Sequence, residues 1–311
     1  MTNEFFPKVE VFLSSYNGEK YIQEQIESIL NQNKVDVLVT VRDDGSNDGT
    51  VSILKKIEAK YPERVQMTEE KNIGYRRSFL RLLSYANSSA DYFAYADQDD
   101  IWEPDKLQQA ITFLERNSKS WLYASALKIT DSDLNVISVK CPTDVRQSLG
   151  SFFVRTRLAG CTMVFKRELL NIALKYSDLE LSHETSPDHD ALLCMLSMLY
   201  GKEISIDAQA YILHRRHESA ETSGGRGIKN RLDVEWKRII GRKHSFQNTA
   251  KLLLKEPCAT SKNPNYKLLK EIEHYDDNII SVIRLCFDKR ISCGIIMADL
   301  LMRLKMLLRY Y

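Results

Sequence analysis

A cluster of carboxylates follows a short apolar stretch in the first third of the chain. Residues 92–96, YFAYA, lead directly into Asp97, Gln98, Asp99 and Asp100. Side chains of an extended chain alternate between two faces, so Asp97 and Asp99 are expected on one side. Two carboxylates on one side repel each other unless a cation or a hydrogen-bond donor lies between them. The spacing therefore predicts a site for a hard divalent cation that also binds phosphate oxygens, with a solvated acidic turn as the alternative.

Alternating strand and helix patterns lead up to this cluster. Strands are predicted at residues 9–15, 35–42, 64–68 and 92–96, and apolar residues at helical spacing predict helices at 19–31, 51–60 and 76–86. This alternation predicts a parallel sheet covered by helices, in which ligands bind beyond the carboxyl ends of the strands. Polar clusters follow three of these ends, at residues 14–18, 43–48 and 97–100. The absence of a GxGxxG motif after the first strand argues against a dinucleotide enzyme.

The remainder of the chain departs from this alternation. Further strands are predicted at residues 120–129, 136–140, 160–165 and 204–213, with helices at 106–116, at 167–176 and from Pro187 onwards. A Gly-rich segment, SGGRG, begins at Ser223 and opens a basic, mainly helical region. Residues 223–311 carry 18 Lys and Arg against 9 Asp and Glu, although the whole chain has a net charge of only +2. We therefore predict two regions, an α/β domain of residues 1–222 and a C-terminal helical region of residues 223–311.

Composition and targeting signals indicate a cytosolic globular protein. The six cysteines form no CxxC pair, and their spacing suggests neither a zinc site nor a disulfide framework, which fits a reducing compartment. The N-terminus lacks a signal-peptide pattern, and no apolar run approaches the roughly 20 residues of a membrane span. The final helix interleaves leucines with Arg303, Lys305 and Arg309. It is expected either to lie on a membrane surface or to pack on the core of its own domain.

The order of the motifs resembles glycosyltransferase family 2, which has the GT-A fold. The matching segments are VFLSSYNG, VRDDGSNDGT, NIGYRRSF and YADQDD-W-PDKL, then GCTMVFKRELL, HDALL and LHRRH, which together span about residues 8–220. The amino-acid sequences of these segments are most similar to those of the bacterial rhamnosyltransferase branch. The resemblance implies an α/β fold, with a mostly parallel nucleotide-sugar-binding sheet flanked by helices and a C-terminal helical region. Phosphatases of the HAD type also use a DxD motif, but after the first strand, whereas here it follows the fourth.

The resemblance also implies residues for the nucleotide part of the donor. Asp43 or Asp44 would accept hydrogen bonds from the base and the ribose, since an ionised carboxylate is only an acceptor. The alternative is that this Asp-Gly-Ser segment is simply a turn. Ser15, Tyr16 and Asn17 would flank the same base. Arginines would contact the diphosphate, with a helix-surface role as the alternative for the first two; these are Arg76, Arg77 and Arg215.

Metal binding is expected at the DQDD motif. By the resemblance, Asp97 and Asp99 would hold Mg2+ or Mn2+ against the donor diphosphate, and Asp97 would thereby also contact the donor. His217 would be a third ligand or a diphosphate contact. Asp100 is a candidate for sugar or structural contacts. Trp102 would be either a stacking platform for the sugar or a buried aromatic at a helix start.

A second acidic motif supplies the expected catalytic base. Asp190 resembles the family's general base, which removes the proton from the acceptor hydroxyl as that oxygen attacks the anomeric carbon. Asp188 is its rival, although helix capping is the expected role of Asp188. Asp188 and His189 are also candidates for sugar or acceptor contacts.

Together these residues imply a metal-dependent inverting glycosyltransferase. The expected donor is dTDP-L-rhamnose, with a UDP-sugar as the other possibility, and the acceptor is a lipid-linked glycan of a bacterial surface polysaccharide such as a capsule. The basic C-terminal region would contact the anionic inner leaflet of the cell membrane, and no nucleic-acid partner is expected. Two alternatives stay open. One is a non-catalytic nucleotide-sugar-binding subunit of a polysaccharide synthase complex. The other is a nucleotidyltransferase. Those enzymes usually carry a Gly-rich basic loop after the first strand, and the segment SSYNGEK of this chain matches that loop poorly.

Overall fold

A computed structural model describes residues 6–87, 89–178, 187–216 and 245–308 of the chain. These residues form two compact units. The first lies within Met1–Thr143, Leu158–Leu179 and Glu203–His217, and the second within Asp144–Arg157, Glu180–Lys202 and Glu218–Tyr311. The predicted domain boundary after residue 222 falls outside the described residues and stays a prediction.

The first unit begins with the predicted alternation of strands and helices. Its elements are β1 (Lys8–Ser15), α1 (Ile22–Leu30), β2 (Asp36–Asp43), α2 (Thr50–Lys60), β3 (Val65–Glu69), α3 (Tyr75–Leu82) and β4 (Tyr92–Ala96). Strand β1 pairs in parallel with both β2 and β4, and β2 pairs in parallel with β3. The parallel sheet predicted for the first hundred residues is confirmed, and the carboxyl ends of β1, β2 and β4 meet at one edge.

The sheet continues with mixed pairing. The next elements are β5 (Ile101–Trp102), α4 (Lys106–Arg116), β6 (Ser120–Thr130), β7 (Val136–Lys140), α5 (Leu149–Val154), β8 (Val164–Lys166), α6 (Arg167–Ala173), α7 (His189–Leu199) and β9 (Glu203–Arg215). The strand order is β3-β2-β1-β4-β8-β6-β9-β5, with β7 paired to β6. The strand predicted at residues 160–165 was placed too early, because Gly160–Thr162 forms a 3-10 turn and the strand begins at Val164.

Helices cover both faces of the parallel strands, which explains why these strands are almost continuously apolar. On one face, Val11 and Leu13 of β1 share a buried cluster with Ile22 and Ile26 of α1. On the other face, aromatic rings pack together: Phe12 stacks on Phe93 with their centroids 5.8 Å apart. The core thus fixes the strand ends that carry the polar motifs.

The second unit is helical. It contains α5 and α7 together with α8 (Ser245–Leu253), α9 (Tyr266–Glu273), α10 (Ile279–Cys286) and α11 (Ile296–Leu307). Helix α7 is buried on nearly every side, and Asn263 and Asn265 donate to the carbonyl groups of its last residues. None of the helices in the described ranges combines the length and the hydropathy that crossing a bilayer requires. The predicted C-terminal helices are present.

Candidate functional site

The loop after β2 is held by the carboxylate of Asp43. Ser15 lies opposite Asp43 in the β1–β2 register, and its Oγ donates to Asp43 Oδ1 at 2.9 Å. The backbone N–H of Ser46 donates to Oδ2 at 2.8 Å, and Ser46 Oγ donates to Oδ1 at 2.6 Å. Asp43 is fully buried. These bonds are those of the turn alternative, in which the carboxylate accepts from the residues that follow it.

Asp44 is the partner of a buried arginine that the sequence did not single out. Arg42 Nη1 lies 2.5 Å from Asp44 Oδ1, and both side chains are buried. Asp44 also accepts from the backbone N–H of Ile73 at 2.8 Å and of Gly74 at 2.9 Å. Arg42 further donates to Glu70 at 3.1 Å. Asp44 therefore ties the end of β2 to the turn before α3.

Tyr16 and Asn17 connect the first strand end with its two neighbours. The N–H of Tyr16 donates to Gln98 Oε1 at 2.8 Å, and Gln98 Nε2 donates back to the Tyr16 carbonyl at 3.0 Å. The N–H of Asn17 donates to Ser46 Oγ at 2.9 Å, and Asn17 Oδ1 accepts from the N–H of Asn47 at 2.8 Å. The Tyr16 side chain is exposed. The loops after β1, β2 and β4 thus form one hydrogen-bonded rim, in which Gln98 is a member missed from the sequence.

Two of the three arginines predicted for the diphosphate, Arg76 and Arg77, lie in the first turn of α3. Arg76 Nε donates to the Tyr75 hydroxyl at 3.1 Å, and the Arg76 guanidinium lies 5.4 Å from the centroid of that ring. Arg77 is partly exposed. The next residue, Ser78, accepts from Arg42 Nη1 at 2.9 Å. The first turn of α3 is therefore tied to the same buried arginine as the loop after β2.

The DQDD segment forms a turn, so the alternation expected from an extended chain does not hold there. Strand β4 ends at Ala96. As a result Asp97 and Asp100, rather than Asp97 and Asp99, come together. Potential ligand atoms of Asp97, Asp100, Cys161 and His214 all lie within 4.8 Å of one another. Asp99 is not part of this group, and its backbone carbonyl accepts from Arg215 Nε at 3.0 Å.

We call these four residues the acidic cluster. Their surroundings raise the pKa values of three of the side chains, which therefore tend to stay protonated at neutral pH. Burial, followed by the negative charges of Asp100 and Asp99, raises the pKa of Asp97 to about 7. Burial would lower the pKa of His214, but its 2.9 Å hydrogen bond to Asp100 and the nearby carboxylates raise it to about 9. Burial also raises the pKa of the Cys161 thiol well above its ordinary value.

A buried lysine lies beside the acidic cluster and was not anticipated from the sequence. Lys106 is fully buried at the start of α4, and its Nζ lies 3.5 Å from the centroid of the Trp102 ring. The ammonium has no hydrogen-bond acceptor among the described residues. Burial lowers the pKa of Lys106 to about 7, against the opposing charges of Cys161 and Asp100. Trp102 is itself buried, as the second alternative expected, but it lies in β5 rather than at the start of a helix.

The acidic cluster fits a divalent cation by its donor chemistry. Asp97 and Asp100 supply carboxylates and His214 an imidazole, which suit Mn2+ better than the soft thiol of Cys161 does. The buried Oδ2 of Asp100 has no N–H or O–H donor among the residues that the structure describes. A cation would satisfy that oxygen. His217, predicted as a third ligand, lies outside the described residues.

Arg215 is engaged with the protein rather than open to a ligand. It is buried, its Nη1 donates to the Ser132 carbonyl at 3.0 Å, and it forms an ion pair with Glu24. Its guanidinium lies 4.6 Å from the centroid of the Tyr21 ring. These contacts, with the bond to the Asp99 carbonyl, fix the turn that carries the DQDD motif.

The predicted general base belongs to the second unit. Asp188 occupies the N-cap position of α7, where its carbonyl accepts from Leu192 N–H at 2.9 Å without a capping bond from its side chain. His189 is buried. Asp190 lies in the first turn, is partly exposed, and accepts from the N–H of Ala191 at 2.6 Å. Burial, followed by the charge of Asp190, raises the pKa of Cys194 one turn later well above its ordinary value.

Comparison with known proteins decides the family. The model described as "Glycosyl transferase family 2" matches residues 10–171, just over half of the 311 residues. The chain belongs to this family. It is therefore a glycosyltransferase that uses a nucleotide-sugar donor. The dTDP-rhamnosyl transferase RfbG of Shigella flexneri is 27% identical over 224 residues, covering 70% of this chain and 75% of RfbG. Chondroitin synthase of Escherichia coli is 29% identical over 210 residues, covering 64% of this chain but only 30% of the synthase.

Solved structures agree on the fold. TarS of S. aureus, solved with UDP-GlcNAc, superposes with a TM-score of 0.56 at 18% identity, covering 97% of this chain and 89% of that chain. A mannosyltransferase of Pyrobaculum calidifontis, solved with GDP-Man and Mn2+, gives a TM-score of 0.51 at 15% identity, covering 96% of this chain and 88% of the other. At these identities the likeness shows the fold alone, which is the predicted GT-A fold.

Proposed function

We propose that this glycosyltransferase moves L-rhamnose, with inversion, from dTDP-L-rhamnose to a hydroxyl of a growing glycan in bacterial surface polysaccharide synthesis. The observation that supports rhamnose as the transferred sugar is the likeness to RfbG. This likeness extends over 224 residues and beyond the part matched by the family model. The joined loops after β1, β2 and β4 support a donor site at that edge of the sheet. A UDP-sugar is the alternative donor.

The donor nucleotide is bound by residues of this rim. Asp43 or Asp44 is proposed to accept hydrogen bonds from the imide N–H of the base or from a ribose hydroxyl, as the family motif implies. Tyr16 is exposed and flanks the base, whereas Ser15 and Asn17 act by holding the loops in place. Arg76 and Arg77 offer positive charge to the diphosphate.

The metal site is proposed at the DQDD motif, with Mg2+ or Mn2+ as the ion. Asp97, Asp100 and His214 would hold it. His217 of the LHRRH segment is a further proposed ligand, and Asp99, which lies outside the acidic cluster, is the alternative to Asp100. When bound there, the cation would supply positive charge that stabilises the diphosphate leaving group. Asp97 is partly exposed and can contact the donor directly.

The acceptor is activated by Asp190. Its carboxylate, partly exposed in the first turn of α7, takes the proton of the attacking hydroxyl, and that oxygen displaces the diphosphate in a single in-line step. Asp188 is the rival base. Contacts to the sugar or the acceptor are proposed for Asp100, Asp188 and His189, whereas the buried Trp102 is proposed to pack in the core.

The acceptor is proposed to be lipid-linked, with the enzyme working in the cytoplasm at the inner leaflet of the membrane. All six cysteines are free thiols, which supports a reducing compartment. The net positive charge of residues 223–311 supports contact with anionic lipid.

A thermal-shift measurement with dTDP, UDP and GDP, each with and without Mn2+, tests the donor. Ligand that binds only the folded chain stabilises it by about 2.7 kcal/mol at a hundredfold excess over Kd. We expect a metal-dependent shift with dTDP. A shift with UDP alone would discard rhamnose, and the lack of a shift with any nucleotide would contradict the proposed donor site.

Turnover of the Asp190→Asn variant then separates an enzyme from a binding subunit. We expect it to keep the dTDP shift and to lose at least about a hundredfold in rate, since general-base catalysis contributes about 10²–10⁴. Asp188→Asn tests the rival base, and Asp36→Asn, exposed at the amino end of β2, is the matched control that should keep full activity. A wild-type chain that binds dTDP but transfers no sugar to any glycan tested would favour the binding subunit.

A further inference from the structure

Helix α10 is apolar on two opposite faces. Val282, Leu285 and Cys286 are buried within the second unit. The other face carries four exposed large apolar side chains, of which Phe287, at the C-cap, is the most exposed at 72%; the others are Ile279, Ile280 and Ile283. A helix that only packed on its own domain would have a polar outer face. The outer face of α10 is therefore unusual for a surface that meets only water.

Helix α11 repeats this arrangement. Met302 and Met306 are buried. The outer face carries a stripe of exposed side chains spaced at three to four residues, led by Ile296 at 79% and continued by Met297, Leu300, Leu304, Leu307 and Leu308. Of the 15 large hydrophobic residues that are exposed in the described part of the chain, ten lie on α10 and α11. We call these ten residues the outer apolar face. Clustering of this kind marks an interaction surface, because scattered exposed apolar residues are normal but contiguous patches are not.

The two helices are fixed to the second unit, so the outer apolar face has a defined orientation. Cys286 Sγ of α10 lies 3.6 Å from the Arg303 carbonyl of α11. The turn between the helices is closed by Asp299, which accepts from Ser292 Oγ at 2.6 Å and from Cys293 N–H at 2.8 Å. Gly150 of α5 packs directly on the backbone at Arg290. The exposure is thus a property of packed helices.

The charges around the outer apolar face decide which partner it fits. Residues 279–308 contain five basic residues, Arg284, Lys289, Arg290, Arg303 and Lys305, against two acids, Asp288 and Asp299, and two more acids, Asp276 and Asp277, come just before α10. Acids in this region have local partners, since Asp277 contacts His274, Asp288 pairs with Arg290 and Asp299 bonds to the turn. Arg284 and Lys289 are exposed. A second copy of this face would bring like charges together, whereas an anionic surface would be attracted.

We infer that the outer apolar face of α10 and α11 docks on an anionic lipid surface, with both helices lying in the plane of the interface. The apolar side chains enter the boundary between headgroups and acyl chains, while Arg284 and Lys289 contact the headgroups. This inference deepens the membrane contact of the proposed function and rests on it only for its purpose, which is to bring the enzyme to a lipid-linked acceptor. The docking itself needs no turnover and uses no residue of the donor site.

Vesicle binding by the full chain tests the inference. The probe is cosedimentation with vesicles of phosphatidylglycerol and phosphatidylethanolamine, compared with vesicles of phosphatidylcholine alone. We expect binding to the anionic vesicles and about tenfold or greater loss in Phe287→Ser/Ile296→Ser, since two large side chains no longer leave water. The matched control is Ile137→Ser/Val139→Ser on β7, where the side chains are 58% and 56% exposed, and it should bind as the wild type does.

The charge contribution is tested separately. For the Arg284→Gln/Lys289→Gln variant we expect vesicle binding to weaken about fivefold for each charge removed. Added salt should weaken vesicle binding by the wild type, because it screens the same charges. Equal binding to phosphatidylcholine vesicles, or unchanged binding in the Phe287/Ile296 variant, would overturn the inference. So would a wild-type dimer that binds no vesicle and becomes monomeric in that variant, because a second copy would then be the occupant.

The dTDP thermal shift distinguishes a failure of the docking inference from a failure of the proposed donor site. We expect the Phe287/Ile296 variant to retain the shift and a cooperative unfolding transition while losing vesicle binding. A wild-type chain that binds anionic vesicles through this face but shows no nucleotide shift would contradict the proposed donor and leave the docking inference standing.

Discussion

Gln98 and Tyr16 exchange a reciprocal pair of hydrogen bonds, at 2.8 Å and 3.0 Å, that joins the end of β4 to the end of β1. Gln98 is the one uncharged member of the DQDD motif. Its amide both accepts and donates, which a carboxylate cannot do. The motif therefore contains a side chain that binds the neighbouring loop, between carboxylates that are proposed to bind the cation and the donor.

Replacement of Gln98 by alanine should loosen the rim. The two lost hydrogen bonds lead us to expect a decrease of about 1–2 kcal/mol in the free energy of unfolding, measured by urea denaturation, and a smaller dTDP thermal shift. Gln23→Ala is the control, because Gln23 donates only to Glu27 on the exposed side of α1. A Gln98→Ala variant with unchanged nucleotide affinity would show that the rim holds its shape without this pair.

The Arg42–Asp44 pair should be a large determinant of stability. Asp44→Asn leaves the buried Arg42 guanidinium with less negative charge, and we expect a loss of about 3 kcal/mol in the free energy of unfolding. Glu69→Gln, which removes the exposed pair between Glu69 and Lys55, should cost less than about 1 kcal/mol. Equal effects of the two substitutions would contradict the structural role given to Asp44.

The buried ammonium of Lys106 should make stability depend on pH. Its pKa is lowered from 10.5 to about 7 in the folded chain, so the unfolded chain binds more protons between those values. The free energy of unfolding contributed by this group should therefore rise as the pH increases from 7 to 10.5. The groups that act on it are Asp100, Cys161 and the Trp102 ring.

Lys106→Met should abolish this rise and stabilise the chain most below pH 7, where the wild type keeps a buried charge. Denaturation at pH 6 and pH 9 measures the difference. Lys106→Arg stays charged throughout and should be the less stable variant at both values. A wild type and a Met variant with parallel pH profiles would show that Lys106 keeps its ordinary pKa.

Manganese titration followed by electron paramagnetic resonance should identify the ligands at the DQDD motif. We expect Asp97→Asn to weaken Mn2+ binding at least about tenfold, because it removes a hard oxygen ligand. Cys161→Ser should change it little, since Mn2+ favours oxygen and nitrogen over a thiol. If Asp99→Asn abolished binding and Asp97→Asn did not, the acidic cluster would not be the metal site.

The sequence predicted the sheet because burial leaves a local record. Strands β1, β2 and β4 are covered on both faces and therefore read as short apolar runs between helices of regular period. The position of the polar clusters at one edge of the sheet could be predicted from the same pattern, since the carboxyl ends of parallel strands lie at one edge. The direction of the side chains after Ala96 did not follow, because a turn replaces the alternation of the strand there.

Buried charges escaped prediction for a different reason. Nothing near Arg42 or Lys106 in the sequence distinguishes them from surface residues, because their surroundings are supplied by distant parts of the chain. Arg42 bonds to Glu70 and Ser78, and Lys106 lies near Cys161. Similarly, the local sequence around Asp190 indicates only a helix start, and its proposed role as base rests on the resemblance to the family motif.

Gly150 ties the C-terminal helices to a segment about 140 residues earlier. A Cβ at this position would lie 2.2 Å from the Arg290 carbonyl oxygen, so no other residue fits without moving the backbone. Helix α5 around it buries Leu149, Phe152 and Phe153 in the same unit. Residues from α10 onwards therefore form part of the interior of the second unit as well as its outer surface. Truncation before α10 would remove this packing and expose α5, so the shortened chain would misfold and could not be used to test lipid binding.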